Sequence, residues 1–282
     1  MIGTTGRKEI EAALRAVGGR DDAQIDIGEA ALALAALDRP GVGLDRYRHQ
    51  LGLLAAATAE AFAAAGDLRG ARRCHAALTR TIVERFAYAG DRQTYDDLQN
   101  ANLMHVIDRQ RGLPIALGIL YLHAGRSQGW TIDGLNFPGH FLLRLEADGE
   151  RIIFDPFDDG TPLEPAAMRA LLKASSGSGA ELTPEHYAPA SNRDILLRLQ
   201  NNIKIRLLRA EQTEAALAII ESMLMFAPDR PSLWYEAGMV NSHLGNLRGA
   251  LLALGHCQDI ATDPRLRDEV ARLIQSISGR LN

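Results

Sequence analysis

Strand patterning occurs in one stretch of this chain, and helical text surrounds it on both sides. TIDGLNF (Thr131–Phe137) and HFLLRLEA (His140–Ala147) alternate apolar and polar residues in part, as half-buried strands do, and RIIFDPF (Arg151–Phe157) reads as a third short strand. Asp148-Gly149-Glu150 between the last two is a tight-turn sequence. Three short strands cannot bury a face by themselves, so this antiparallel meander needs a helix against it. The nearest is the apolar run from Pro114 to about Gln128, which follows RGL (Arg111–Leu113) and stops at Gly129. Proline suits the first helical position, where its missing N–H would have no partner in any case. The expected fold class is α+β, mostly α.

Before this block the text is helical. EIEAALRAV, IGEAALALAAL (ended by Pro40), a long run from Leu44 to Gly66 and a fourth from about Leu68 to Ala87 all read as helices. DDLQNANLMHVIDRQRG reads as a loop and a short helix closing at Gly112. After the block, a helix near Pro165–Ala174 precedes the flexible SSGSGAEL (Ser175–Leu182). A domain boundary is expected near Asn192, giving a first domain over 1–191 and a second over 192–282.

The second part repeats itself. QTEAALAIIESMLMFAP (Gln212–Pro228) lays over NLRGALLALGHCQDIATDP (Asn246–Pro264), with Ala216-Leu217 on Ala250-Leu251 at a 34-residue offset, the period of a tetratricopeptide repeat. Arg193–Leu208 and Leu233–Leu244 supply the first helix of each repeat, and Arg265–Ser278 a capping helix.

Composition narrows the functional classes. With 31 Lys and Arg against 35 Asp and Glu, the formal net charge is −4, so no strong basic field exists to hold phosphate backbones, and no nucleic-acid partner is expected. The opening MIGTTGRKEIEAALRAVGG has charges through its middle and no long apolar run, so neither a signal peptide nor a membrane span is expected. Cys74 and Cys257 lie far apart in no metal-type spacing and read as reduced thiols of a bacterial cytoplasmic protein. No metal or cofactor is expected.

Chemistry concentrates in the β block. With a hairpin turning at Asp148-Gly149, His140 at the start of one strand and Asp155 at the end of the next should lie near the same sheet edge. A carboxylate beside an imidazole fixes its tautomer and steadies its cation, which is two-thirds of a nucleophilic triad. The missing member would sit at a helix N-terminus, where free N–H groups and the helix dipole lower a thiol pKa. The helix available for that begins at Gly112-Leu113-Pro114.

The order of helix start, Gly-x-His strand and Asp-Pro strand resembles the transglutaminase-like, papain-type superfamily. RGLPIALGILYLHAGRSQGW resembles its helix, GLNFPGHFLLRL its histidine strand and IIFDPFDDG its aspartate strand. More narrowly, LMHVIDRQRGLPIALGILYLHA, NFPGHFLLR and APASNRDILLRLQNNIK resemble the bacterial SirB-type family, a degenerate transglutaminase-like domain followed by tetratricopeptide repeats. The resemblance spans about Leu32 to the C-terminus. It implies that His140 and Asp155 match the superfamily histidine and aspartate, and that the cysteine position falls on Pro114. Proline carries no nucleophile, so thiol acyl transfer is closed by the usual route. Neither Cys74, in an N-terminal helix, nor Cys257, in the repeat tail, can stand in.

Each site residue also has a structural reading. His140 can be a packed strand-end histidine, and Asp155 before Pro156 a turn cap. Asn136 can shape a pocket beside His140 or simply leave the strand, and Arg109 and Arg111 can bind a carboxylate or cap a helix end. His105 and His123 read as packing or surface residues, Ser127 as a poor nucleophile late in its helix, and Trp234, Tyr235 and Met239 as repeat core rather than groove. The leading expectation is a non-catalytic binding or scaffold protein: a degenerate cleft at His140, Asp155, Asn136 and Arg111, and a repeat tail that presents a groove to a protein or peptide. The alternative is a hydrolase or acyltransferase that uses His140 and Asp155 as a general base without a cysteine.

Overall fold

The computed structural model describes residues 6–281. The N-terminal stretch read for a leader begins in residues 1–5, outside that range. The described elements are α1 (Arg7–Gly18), α2 (Ile27–Leu37), α3 (Asp45–Ala63), α4 (Gly70–Thr79), β1 (Ala89–Gly90), α5 (Leu103–Arg109), β2 (Arg111–Gly112), α6 (Pro114–Arg126), β3 (Thr131–Leu135), β4 (Leu142–Ala147), β5 (Glu150–Asp155), β6 (Thr161–Pro162), α7 (Pro165–Ser176), α8 (Asn192–Arg209), α9 (Thr213–Phe226), α10 (Pro231–His243), α11 (Leu247–Ile260) and α12 (Pro264–Leu281). The α+β, mostly helical class is as the sequence implies. Two compact units form: one from the residues up to Ile10 with Asp21–Leu199, the other from Glu11–Arg20 with the chain from Gln200 on. The division falls inside α8.

In the first unit α6 is the central helix. Ile115 to Leu122 are all buried, so it is covered on every side, as a helix apolar all round must be. Its Pro114 takes the first helical position. The sheet runs β3-β4-β5-β6, antiparallel throughout. Alternation divides its side chains. Leu142 and Ile153 join Met168 and Leu172 of α7 on one face. On the other, Phe154 meets Tyr121 of α6 (ring centroids 5.4 Å apart) and His75 of α4 (4.9 Å).

One ring locks the sheet to α6. Phe141, 2% exposed, lies against Gly118 of α6 and Gly134 of β3, and a Cβ at either glycine would collide with it. Ile195 of α8 closes on the same spot, 3.0 Å from where the Gly134 Cβ would stand. Glycine inside a helix costs roughly 1 kcal/mol against alanine. Fully burying a phenylalanine returns about 1.5–3 kcal/mol, which explains a glycine here.

The hairpin register differs from the expectation. Ala147 pairs with Glu150 around a two-residue turn in which Asp148 (φ 52°) and Gly149 (φ 76°) are both left-handed, the geometry favoured for tight hairpins. Leu143 then faces Phe154, so Asp155 falls beside the strand start rather than opposite His140. His140 lies outside β4, in the bend after Pro138 and Gly139. β3 turns away there because its free edge is taken by the segment before α8, with Ala190 N–H donating to Gly134 O (2.8 Å) and Asn136 N–H to Ala188 O (3.3 Å). β6 and the short parallel pair β1–β2 (Ala89 with Arg111, Gly90 with Gly112) are too brief to show periodicity in sequence.

In the second unit the 34-residue offset reappears as repeated burial. Ala216 and Ala250, Ile220 and Leu254, Met223 and Cys257, and Ala227 and Ala261 are all fully buried. Half-buried Trp234 and Tyr235 pack on these cores, whereas Met239 is exposed. Buried Lys204 of α8 pairs with Glu236 of α10.

The Phe141 contact gives a quantitative test. Gly118→Ala should lose about 1–3 kcal/mol in a denaturant titration, overpacking outweighing the gain in helix propensity. Gly255→Ala in α11, with open space around it, should be neutral or stabilising by up to about 1 kcal/mol.

Candidate functional site

The start of α6 is held by a buried polar network that the sequence did not disclose. Asp91 accepts from the N–H groups of Gln93 (3.0 Å) and Thr94 (2.8 Å), from Thr94 Oγ1 (2.6 Å) and from Arg109 Nη2 (3.1 Å). Arg109 Nη1 donates to Asn100 Oδ1 (3.0 Å), Asn100 Nδ2 to Thr94 O (2.6 Å), and Leu113 N–H to Asn100 O (2.9 Å). These donors, the Thr94 hydroxyl first, hold the Asp91 carboxyl far below the usual carboxylate range. Arg109 therefore anchors a loop to the residue before Pro114 and reaches no ligand site. Leu113 is the N-cap and offers no side-chain acceptor.

His140 and Asp155 come near each other without bonding. Asp155 Oδ1 accepts from Phe157 N–H (2.8 Å), and among the described residues no hydrogen bond joins the carboxylate to the imidazole. Burial pushes the Asp155 carboxyl up, opposed by the Phe157 N–H and by the nearby His140. The half-buried His140 ring stands edge-on to Phe137, centroids 6.3 Å apart, and its backbone carbonyl accepts from Arg198 Nη2 (2.7 Å). Over Asp155, Phe157 meets Tyr95 edge-on (5.7 Å), Arg92 lies across its ring (5.0 Å), and Arg92 pairs with Asp158 (2.6 Å).

The other predicted residues are placed differently. Asn136 is exposed. Arg111 is exposed, and its Nη1 donates to the carbonyls of Ala87 (3.0 Å) and Gln110 (2.8 Å), which ties the segment before β1 to β2. Cys74 and Cys257 are buried free thiols, each pushed up mainly by burial and so further from the reactive thiolate. Ser127 donates back to Ala124 O (2.7 Å). Among the described residues no cluster of three or more His, Cys, Asp or Glu is placed to hold a metal ion, and no helix is long and apolar enough to cross a membrane.

A cavity of about 840 Å³ opens at the far end of α6, roughly 18 Å along the helix from Pro114. Asp22, Asp26, His123, Arg126, Asp133 and Asn192 line it. Its polar groups are mutually engaged: Arg126 donates to Asn192 Oδ1 (2.6 Å) and Ile132 O (3.1 Å), and Asp22 caps α8 through the N–H groups of Asn192 (2.8 Å) and Arg193 (2.9 Å). No spacing in the sequence joins residues so far apart.

Comparison with known proteins matches residues 45–201 to the transglutaminase-like superfamily and residues 203–275 to a tetratricopeptide repeat. Similar proteins include a "UPF0162 protein" of Xylella fastidiosa, 31% identical over 62% of this chain and 64% of the relative. Another of that name in Vibrio cholerae is 34% identical over 60% and 62% of the two chains. "Protein SirB1" of Salmonella typhimurium is 25% identical over 61% and 64%. The matches span less than two thirds of these relatives' lengths.

The raised Asp155 carboxyl makes a pH prediction. A folded-state pKa above the unfolded value of about 3.9 means that the stability tied to the protonated acid is complete below that value and is lost as pH rises through the raised one. Asparagine is neutral throughout and keeps the oxygen facing Phe157 N–H. Asp155→Asn should therefore melt no lower than the native chain at pH 7, with the difference closing by about pH 3. A lower melting temperature for the variant at pH 7 contradicts this account.

Proposed function

The chain belongs to the transglutaminase-like superfamily, and from that premise we propose that it is a non-catalytic binding protein with a pseudoenzyme cleft and a protein-docking tail. The observation that carries this reading is Pro114. The position assigned to the superfamily nucleophile opens α6 with a ring that has neither a side-chain nucleophile nor an N–H. The unbonded relation of His140 to Asp155 supports it, since a working pair holds the imidazole by the carboxylate. The ligand of the cleft is a peptide or carboxyl-bearing group near His140 and Asp155, with Asn136 and Arg111 at its margin.

Tetratricopeptide repeats serve protein–protein interaction in general, and the tail has a surface suited to it. Leu208 (41% exposed) and Met239 (40%) face solvent in a groove of about 670 Å³ shared with Thr213, Val240 and His243. Exposed apolar side chains gathered in a groove mark docking surfaces. The two buried free thiols are consistent with a reducing bacterial cytoplasm as the place of action.

The rival reading, a hydrolase or acyltransferase that uses His140 and Asp155 as general base, is favoured by one observation: the imidazole remains half-exposed and close enough to interact with the carboxylate. A peptide, ester and amide substrate panel separates the two. The native chain should turn over none of them. Turnover that disappears in His140→Ala would establish the enzyme instead. For the tail, peptides selected on the full chain should bind at least about tenfold more weakly to Leu208→Asp/Met239→Asp, the loss of a central apolar anchor. Unchanged binding would remove the groove from the proposal.

A further inference from the structure

We infer that Arg198, on α8 and outside every element assigned to the cleft so far, is the positioning residue that sets the His140 loop. Its Nη2 donates to the backbone carbonyl of His140 at 2.7 Å, and its guanidinium carbon lies 5.5 Å from the centre of the Phe141 ring. One side chain thus grips two successive residues, and they are the histidine of the cleft and the aromatic wedge that seats the sheet on α6. The loop needs such a restraint. It leaves the sheet at Leu135, bends through Pro138 and Gly139 (φ 73°), and reaches β4 only at Leu142, so no ladder bond orders His140.

The support behind Arg198 is rigid. α8 is capped by Asp22 through the N–H groups of Asn192 and Arg193, by Ser191 Oγ accepting from Asp194 N–H (3.0 Å), and is tied to α6 by the Arg126–Asn192 bond. Ile195, one turn before Arg198, packs where Gly134 leaves room. A charge-assisted bond to a carbonyl, made from a helix fixed at its start, restrains the loop more tightly than packing alone. The inference deepens the reading of the cleft as a recognition site and rests on it for the loop's use, but the geometry can be tested without a ligand.

The experiment is histidine-selective NMR of the full chain, with the His140 ring signal identified by its loss in His140→Gln. Its position reports the edge-on Phe137 ring. In Arg198→Met the His140 signal should move toward the free-histidine position and broaden, while the other histidines stay in place. Arg198→Lys should restore it, because one ammonium donor suffices for a single bond to a carbonyl. A folded Arg198→Met with an unmoved His140 signal overturns the inference. So does loss of fold in both variants, which would make Arg198 a stability residue only. Neither result bears on turnover or on binding by the tail, so the proposed function stands or falls separately.

Discussion

The first unit depends on a ring fitted between two glycines. Phe141 enters the space left by Gly118 on α6 and Gly134 on β3, and the sheet meets the helix at that fit. It sets the distance between sheet and helix, which brings Phe154 to Tyr121 and His75. Close packing transmits such a constraint because interiors are nearly incompressible, so one added methyl must displace the Phe141 ring.

Around this apolar fit the polar groups of the cleft are mostly spent on structure. Asp91, Arg109 and Asn100 fasten the turn into α6, Arg111 holds the Ala87 carbonyl just before β1, and Asp155 caps Phe157. Buried polar groups mostly find partners, as Asp91, Asn100 and Arg109 do here, whereas the buried Tyr121 hydroxyl of α6 finds none among the described residues. The His140 imidazole stands half-buried, edge-on to Phe137, near a carboxyl that burial disfavours as an ion.

The tail follows a different logic. Its buried positions recur every 34 residues because each helix pair presents apolar residues at the same positions to its neighbour, and in such repeats stability is gathered pair by pair. Leu208 and Met239 stand outside these buried positions and face solvent.

Local rules explain what was legible in the sequence. Proline at the first turn of α6 and the apolar run after it specify the helix, and the 34-residue offset specifies the repeats, because both signals lie along the chain. The lack of a nucleophile at Pro114 is a covalent fact that no packing can alter. Asp148 and Gly149 announced a turn, but their paired left-handed conformations, which shift the register and leave His140 outside the strand, arise only when the strands twist together. Asp91 with Arg109, Asp22 with α8, and Arg198 with His140 join residues 18, 170 and 58 positions apart. Such pairings leave no periodic trace, so the tertiary structure alone decided which arginine holds the cleft and where its histidine stands.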